Sequence, residues 1–220
     1  MKPEATGKAY DQITERWNDD VFPMDNGMDQ LDRALQFLSD DDRGDEPNPC
    51  RKALDVGCGH TGRFMRYLAE HGYDVEGVDV SAEMIRLAQE KYPQFRFYHK
   101  DICQWPTTGQ YDFISAWDSI WHVPLTHQSS LITKLVAALK PGGVFIFSFG
   151  AVDVAGEHRN CVMGPEIYYS SLGVNGFVQA VMSAGAVVRH LEYDQYPQTH
   201  GYMVVQRSQH TAVYPNHTSA

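Results

Sequence analysis

The chain has 220 residues and a formal net charge of −10, with 43% hydrophobic and 21% charged residues. This length suits one sizeable α/β domain rather than two catalytic domains, and no apolar run reaches the roughly 20 residues of a membrane helix. The negative charge disfavours a protein whose main work is to bind a phosphate backbone, because such binding depends on Lys and Arg. The polar start and the four scattered cysteines predict a cytoplasmic protein with reduced thiols.

The first 48 residues are predicted to be a helical extension that ends in an acidic linker. Apolar residues recur at intervals of three and four between residues 8 and 39, a spacing typical of amphipathic helices. The stretch DDDRGDEPNP, residues 40–49, favours a solvated linker. The sequence therefore divides into a cap and linker over 1–48, a main domain over 49–208 and a mobile tail over 209–220.

The main domain shows strands alternating with helices. The patterns predict strands over 53–56, 74–80, 95–98, 111–116 and 144–149, and helices over 61–70, 82–91, 129–139 and 174–184, with Thr61 as the N-cap of the first helix. Two final strands, 186–193 and 202–206, follow each other without a helix. Alternation indicates a parallel sheet, and consecutive strands indicate an antiparallel pair. The predicted fold is a Rossmann-like, doubly wound α/β sheet of seven strands, mostly parallel, with a C-terminal antiparallel strand pair and an N-terminal helical extension.

A glycine-rich turn, LDVGCGHTGRF over 54–64, joins the first strand of this domain to the helix after it. Glycines in such a turn allow a ligand to approach the bare backbone. Asp79 lies 22 residues after Gly57, at the end of the next strand, where a carboxylate can accept both hydroxyls of a ribose. The spacing predicts a site for a cofactor that contains adenosine.

Asp55 separates the two adenosine cofactors that fit this spacing, NAD and S-adenosylmethionine. A dinucleotide places its pyrophosphate on the glycine turn, where a carboxylate two residues before the first glycine would repel it. S-adenosylmethionine instead carries an ammonium and a sulfonium near this turn, and a carboxylate attracts both. Asp55 therefore favours S-adenosylmethionine, with S-adenosylhomocysteine as the product.

The chain resembles the class I S-adenosylmethionine-dependent methyltransferases. The resemblance rests on five motifs in the family's order: LDVGCGHTGRF, GVDVSAEM (77–84), KDICQWP (100–106), YDFISAWDSIWHV (111–123) and LKPGGVFIFSF (139–149). It covers about residues 50–150 and the closing strand pair. It implies transfer of a methyl group by in-line displacement, with a small molecule as the expected acceptor.

The resemblance also implies roles for individual residues. Those expected to hold the cofactor are Asp55, Gly57, Cys58 and Gly59 near the methionine ammonium, Asp79 at the ribose, Val80, Met84, Asp101 and Ile102 at the adenine, and Trp117 beside the methionine part. Asp101 as a turn cap and Met84 as a core residue are the alternative interpretations. The acceptor is expected to approach at the carboxyl ends of the fourth and fifth strands, beneath the N-terminal extension.

His122 is the candidate general base, with Asp118 as the residue that orients it. The two lie four residues apart, which would place them on one face if the segment is helical. A purely structural histidine is the alternative. No histidine spacing typical of zinc is present, so a metal-free reaction is predicted.

Five further residues are candidates for contact with the acceptor: Tyr10, Trp17, His158, Tyr168 and Tyr169. The aromatic side chains would wall the pocket or contact the sulfonium through cation–π attraction, or else belong to the core. His158 lies in the polar stretch 150–160, which is predicted to be either a lid or a plain surface loop.

Two other functions are alternatives. A nicotinamide-dependent oxidoreductase would need a YxxxK segment or a substrate domain, and the chain shows neither. A member of the fold that binds the cofactor without catalysis fits the same motifs. The acceptor is not identified by fold analogy, and the chain is expected to be a monomer or a homodimer.

Overall fold

The computed structural model describes residues 2–38, 50–107 and 109–209. The predicted acidic linker and the predicted mobile tail beyond residue 209 lie outside these ranges. No helix in the described ranges is both long and apolar enough to cross a membrane.

A seven-stranded sheet forms the centre of the molecule. In chain order its strands are β1 (Arg51–Val56), β2 (Tyr73–Asp79), β3 (Arg96–His99), β4 (Tyr111–Ala116), β5 (Leu139–Gly150), β8 (Ala186–Glu192) and β9 (His200–Arg207). They lie side by side in the order β3-β2-β1-β4-β5-β9-β8. Neighbours from β3 to β5 are parallel, whereas β9 is antiparallel to both β5 and β8. The predicted fold, including its antiparallel pair, is confirmed.

Helices cover both faces of the sheet, which explains why most of β5 is buried. The helices are α1 (Pro3–Tyr10), α2 (Met28–Leu35), α3 (Arg63–Glu70), α4 (Ala82–Lys91), α5 (Leu125–Ala138) and α6 (Gly173–Ser183). Phe145 and Phe147 of β5 pack with α5 and α6, and Val144 and Ile146 of the same strand pack with α2 and α3. All four side chains are fully buried, as expected for a strand covered on both faces.

The start of α3 differs from the sequence prediction. Thr61 was expected to be its N-cap, but the helix begins at Arg63 with Gly62 in the cap position. Gly62 has a left-handed backbone, with φ of 66°. The Thr61 hydroxyl instead accepts a hydrogen bond from the Arg63 guanidinium at 3.1 Å. The left-handed glycine therefore sets where the helix starts.

The stretch 150–160 is also different from the prediction. It contains a strand, β6 (Gly156–Asn160), which pairs antiparallel with β7 (Ile167–Ser171) in a separate two-stranded sheet. All of β6 is exposed except its last residue. A strand without a buried face lacks apolar alternation, so its sequence resembles a loop.

The N-terminal segment lies over the carboxyl ends of the central strands. Asp11, just after α1, accepts hydrogen bonds from the Ser81 hydroxyl at 2.6 Å and the Glu83 amide at 3.0 Å, at the start of α4. At the other end of this segment, Arg33 of α2 donates to Glu192 of β8 at 2.6 Å. These contacts hold the extension across the edge of the sheet where ligands of this fold class bind.

Candidate functional site

A cavity of about 340 Å³ lies between the glycine turn and the N-terminal segment. Its walls come from the carboxyl ends of β1, β2 and β4 and from the residues that cover them. The lining residues include all ten predicted cofactor residues, Asp55, Gly57, Cys58, Gly59, Asp79, Val80, Met84, Asp101, Ile102 and Trp117. Their contact with a cofactor stays a prediction, but the fold places them around one space.

The glycine turn presents bare backbone to this cavity. Gly59 has φ of 53°, and a Cβ placed on it would meet no atom within 4 Å. The space above Gly59 is therefore open to a ligand. The amide of Gly59 donates to the Asp79 carboxylate at 2.9 Å, which ties the turn to the end of β2.

Asp79 has partners on both of its carboxylate oxygens. Oδ2 accepts from the amide of Gly59, and Oδ1 accepts from the amide of Ser81 at 2.8 Å. Burial raises the pKa of Asp79, although these amide hydrogen bonds oppose the shift. Each oxygen has a second lone pair, so the carboxylate is held in place with capacity left for two ribose hydroxyls.

Asp55 is a buried carboxylate, only 6% exposed. Its Oδ1 accepts from the Ser115 hydroxyl at 2.7 Å. Burial raises its pKa to about 6; the Ser115 hydrogen bond and the charge of Arg63 act in the other direction. A cation at this end of the cavity would favour the ionised form of Asp55, as the ammonium of S-adenosylmethionine would.

Arg63, the first residue of α3, lines the cavity and was missed by the sequence analysis. Its Nε donates to the carbonyl of Asn26 at 2.9 Å, and its guanidinium lies 4.9 Å from the ring centres of both Phe22 and Phe64. Burial lowers its pKa, and the charges of Asp55 and Asp118 oppose that change. The only sequence signal was its place directly after the glycine turn.

The predicted adenine end of the cavity is formed by Val80, Met84, Asp101 and Ile102. Met84 is 2% exposed and belongs to the buried core as well as to the wall. Asp101 accepts from the amide of Cys103 at 2.8 Å and from the side chain of Gln104 at 2.9 Å. Both alternative interpretations are thus part of the structure: Asp101 caps a turn, Met84 is core, and both still face the cavity.

Asp118 does not orient His122, contrary to the sequence prediction. The segment Ile120–His122 is a single 3₁₀ turn, so Asp118 and His122 do not share a helix face. Asp118 has φ of 51° and accepts from His200 Nε2 at 3.0 Å, from the Ser148 hydroxyl at 3.1 Å and from the Asn26 side chain at 3.0 Å. The partner of Asp118 is therefore His200, which is 82 residues away in the chain.

His200 lies between two carboxylates, and sequence reasoning gave no signal for it. Its Nδ1 is 2.5 Å from Asp194, on the side opposite Asp118. Burial opposes protonation, but the hydrogen bonds with Asp118 and Asp194 outweigh it and raise the pKa of His200. Burial acts to raise the pKa of Asp118, and the bonds from His200 and Asn26 bring it below its usual value. Asp118 is therefore an anion rather than a proton acceptor at neutral pH.

His122 is buried among other partners. Its Nδ1 lies 2.8 Å from the carbonyl of Tyr168, and its Nε2 lies 2.7 Å from the Tyr10 hydroxyl and 3.0 Å from the indole nitrogen of Trp121. Burial lowers its pKa to about 4, against a smaller opposite effect from the Tyr168 carbonyl. His122 is a neutral imidazole at physiological pH.

Three of the five residues predicted to contact the acceptor line the cavity: Tyr10, Trp17 and Tyr169. The other two, Tyr168 and His158, do not. Tyr168 is buried behind the wall, where its hydroxyl donates to Glu157 at 2.6 Å and accepts from the amide of Leu125 at 3.0 Å. His158 is exposed on β6 and stacks on Tyr169 at 5.1 Å. Because β6 and β7 form a hairpin, His158 lies behind Tyr169 rather than in a lid over the cavity. Met163, in the hairpin turn, also lines the cavity.

Among the residues that the structure describes, no group of three or more His, Cys, Asp or Glu side chains is arranged to hold a metal ion. The carboxylates that line the cavity already bond to hydroxyls, amides and His200.

Residues 53–143 match a protein family described as a methyltransferase domain. An uncharacterized methyltransferase from Alkaliphilus oremlandii is 24% identical over 145 residues, covering 64% of this chain and 65% of the relative. A trans-aconitate 2-methyltransferase from Paracidovorax citrulli is 40% identical over 95 residues, covering 41% of this chain and 35% of the relative. The chain thus spans less than two thirds of the length of these relatives.

Solved structures match over a longer stretch. Magnesium protoporphyrin IX methyltransferase from Synechocystis, solved with bound S-adenosylmethionine, has a TM-score of 0.67 at 19% identity and covers 94% of this chain and 98% of its own. At this identity the likeness shows the fold. Together with the sequence match, it confirms the resemblance to class I methyltransferases that the motifs indicated.

Proposed function

We propose that this chain, whose residues 53–143 match a methyltransferase domain family, transfers a methyl group from S-adenosylmethionine to a small-molecule acceptor. One observation carries the proposal. The cavity has a buried carboxylate, Asp55, at the glycine turn and a second, Asp79, at the end of the next strand. The first suits an ammonium group and repels a pyrophosphate, and the second suits a ribose.

The described residues fit this cofactor along its whole length. We assign the methionine ammonium to Asp55, the methionine carboxylate to Arg63 and the ribose to Asp79. We assign the adenine to the cavity wall formed by Val80, Met84, Asp101 and Ile102. We assign the methionine part to Gly57, Cys58, Gly59 and Trp117. When bound, the cofactor supplies an electrophilic methyl on a sulfonium, and the protein contributes chiefly by holding the acceptor in line with it.

The acceptor half of the cavity supports an uncharged, apolar acceptor. Its walls are aromatic, formed by Tyr10, Trp17, Phe22, Trp121 and Tyr169. Among the described lining residues the cations are Arg63 and Lys100, and Arg63 is assigned to the cofactor. A tricarboxylate such as trans-aconitate, named for one of the relatives, would find no second buried cation.

The remaining predictions belong to this proposal too. The net charge of −10 supports a small molecule rather than a nucleic acid as the acceptor. A cytoplasmic location and a monomeric or homodimeric state stay predictions from the sequence.

The proposal is tested by incubating the protein with S-adenosylmethionine labelled on the methyl carbon, together with neutral phenols, neutral aromatic amines or trans-aconitate. We expect label in the neutral compounds and formation of S-adenosylhomocysteine, both reduced about tenfold or more in Asp79→Asn at subsaturating cofactor and unchanged in Asp153→Asn, which changes an exposed loop residue. Transfer to trans-aconitate alone would contradict the proposed acceptor class. If Asp79→Asn transfers the methyl group at the wild-type rate and binds the cofactor with unchanged affinity, the assigned cofactor site is contradicted.

A further inference from the structure

The hydrogen bonds of His122 fix where its proton lies. The carbonyl of Tyr168 only accepts, so Nδ1 of His122, at 2.8 Å, must carry the proton. An indole nitrogen only donates, so the contact from Trp121 at 3.0 Å requires a lone pair on Nε2. The neutral state of the ring, with its pKa lowered to about 4 by burial, agrees with this tautomer.

The same tautomer fixes the direction of the hydrogen bond from Tyr10. Its hydroxyl lies 2.7 Å from Nε2 of His122, and because Nε2 carries no proton, the hydroxyl must donate. The Tyr10 hydroxyl and the Trp121 N–H therefore share the single lone pair of Nε2. Burial, together with the negative charges of Asp79 and Asp118, raises the pKa of Tyr10, so the phenol stays neutral. The only hydroxyl proton of Tyr10 is therefore donated to His122, and the lone pairs of the Tyr10 oxygen can accept hydrogen bonds from other partners.

Tyr10 lines the acceptor half of the cavity. Its ring centre lies 5.2 Å from the rings of both Trp17 and His122, and that of His122 lies 4.9 Å from Tyr169. These aromatic neighbours hold the Tyr10 ring in place. A ligand group that contacts the Tyr10 hydroxyl must therefore be a hydrogen-bond donor.

We propose that the methyl acceptor is a compound with a protonated nucleophile, an O–H or N–H group, which donates its hydrogen bond to Oη of Tyr10. This inference rests on the proposed function and narrows its acceptor class. It excludes a carboxylate as the methylated group, because a carboxylate has no proton to donate and would face the lone pairs of Tyr10. It also makes Tyr10 a catalytic residue, with His122 as the residue that positions it.

The proton of the acceptor then has a route. The nucleophile forms its bond to the methyl carbon, and the electron pair of the broken S–CH₃ bond stays on sulfur. The proton of the nucleophile passes to Oη of Tyr10, and the proton of Tyr10 passes to Nε2 of His122. The positive charge of the sulfonium is thereby replaced by that of the His122 imidazolium, so the total charge in the cavity does not change. The low pKa of His122 favours release of this proton to water afterwards.

Two measurements test the proposal without knowledge of the acceptor. The first is nitrogen NMR of the imidazole of His122, assigned by its loss in His122→Gln. We expect Nδ1 protonated and Nε2 unprotonated between pH 6 and 8. Protonation of Nε2 in that range would overturn the proposal, because Tyr10 would then accept from His122.

The second measurement compares sinefungin, which has an amine in place of the S-methyl group, with S-adenosylhomocysteine. The amine of sinefungin is a hydrogen-bond donor at the position of the transferred methyl group, which lies within about 3.5 Å of the nucleophile that is proposed to donate to Tyr10. We expect Tyr10→Phe to weaken sinefungin by about tenfold and S-adenosylhomocysteine by less than about twofold. Tyr196→Phe, at a residue 84% exposed, should change neither.

An equal effect of Tyr10→Phe on both ligands, or no effect on either, would overturn the role of Tyr10 while leaving the proposed function intact. Failure of the wild-type protein to bind either ligand would instead contradict the proposed function.

Discussion

In its ionised form, Asp55 lowers the free energy of unfolding of the free protein. A carboxylate that is buried with one neutral hydrogen-bond donor, Ser115, is less stable ionised than it would be in water. The bound cofactor's ammonium would supply the missing positive charge. The ionised carboxylate of Asp55 therefore favours cofactor binding but destabilises the free protein.

We predict that Asp55→Asn makes the free protein more stable and the cofactor complex weaker. The pKa of Asp55 is raised to about 6 in the folded protein. Between its unfolded value and pH 6 the folded state therefore binds more protons, and stability falls as pH rises through that window. Above pH 6 the full cost of keeping Asp55 ionised in the folded state remains, about 3 kcal/mol. The melting temperature of Asp55→Asn should exceed that of the wild type at pH 8 and match it near pH 4.

The same variant should bind S-adenosylmethionine at least about tenfold more weakly, since the ammonium loses its counter-charge. Thermal melts at both pH values and calorimetry at pH 8 measure the two effects. Asp153→Asn is the control for the loss of one negative charge. Equal melting temperatures at pH 8, or undiminished affinity, would show that Asp55 does not have this role.

At the scale of secondary structure, the docking of α1 closes one side of the cavity. Pro3, Thr6 and Tyr10 of this helix line the cavity. Gly7 lies against the end of β2, and a Cβ on Gly7 would come within 2.3 Å of the carbonyl oxygen of Val80. Such a contact with backbone cannot be relieved by a side-chain rotation, so α1 would have to move.

We predict that Gly7→Ala displaces α1 and weakens cofactor binding. Alanine favours the helix by about 1 kcal/mol over glycine, but the clash should outweigh this gain and lower the free energy of unfolding by about 1–3 kcal/mol. The matched control is Gly156→Ala, where an added Cβ meets no atom within 4 Å. Denaturant unfolding and a titration with S-adenosylhomocysteine measure both effects. A variant as stable as the wild type with unchanged affinity would refute the close packing of α1.

The secondary structure was predictable where the sequence pattern comes from burial. The structure places β4 at Tyr111–Ala116 and α4 at Ala82–Lys91, the bounds predicted from periodicity. The hairpin of β6 and β7 was missed because β6 is exposed and lacks alternation. Local patterns report burial, and elements without a buried face leave no such signal.

At the cofactor end the sequence predicted residues that line one cavity, whereas at the acceptor end it predicted single residues such as Tyr10 and Tyr169 but not their contacts. Asp55, Gly57 and Asp79 lie within one βαβ unit, where spacing along the chain implies proximity. The contact of Tyr10 with His122 joins residues 112 positions apart, and that of His200 with Asp118 joins residues 82 apart. Such pairs depend on how the extension and the last strand pack, and a single sequence contains no signal for them.

For the molecule as a whole, the cavity suits a ligand with positive charge. Its described lining contains four carboxylates, Asp55, Asp79, Asp101 and Asp118, against the two cations Arg63 and Lys100. The chain itself carries a net charge of −10. Both favour a cation such as S-adenosylmethionine over a doubly charged pyrophosphate.

Calorimetric titration with S-adenosylmethionine, S-adenosylhomocysteine and NADH tests the central claim most directly. We expect both adenosyl compounds to bind with dissociation constants in the micromolar range, and about tenfold or more weakly in Asp79→Asn, whereas NADH should give no heat of binding. Binding of NADH without binding of either adenosyl compound would contradict it.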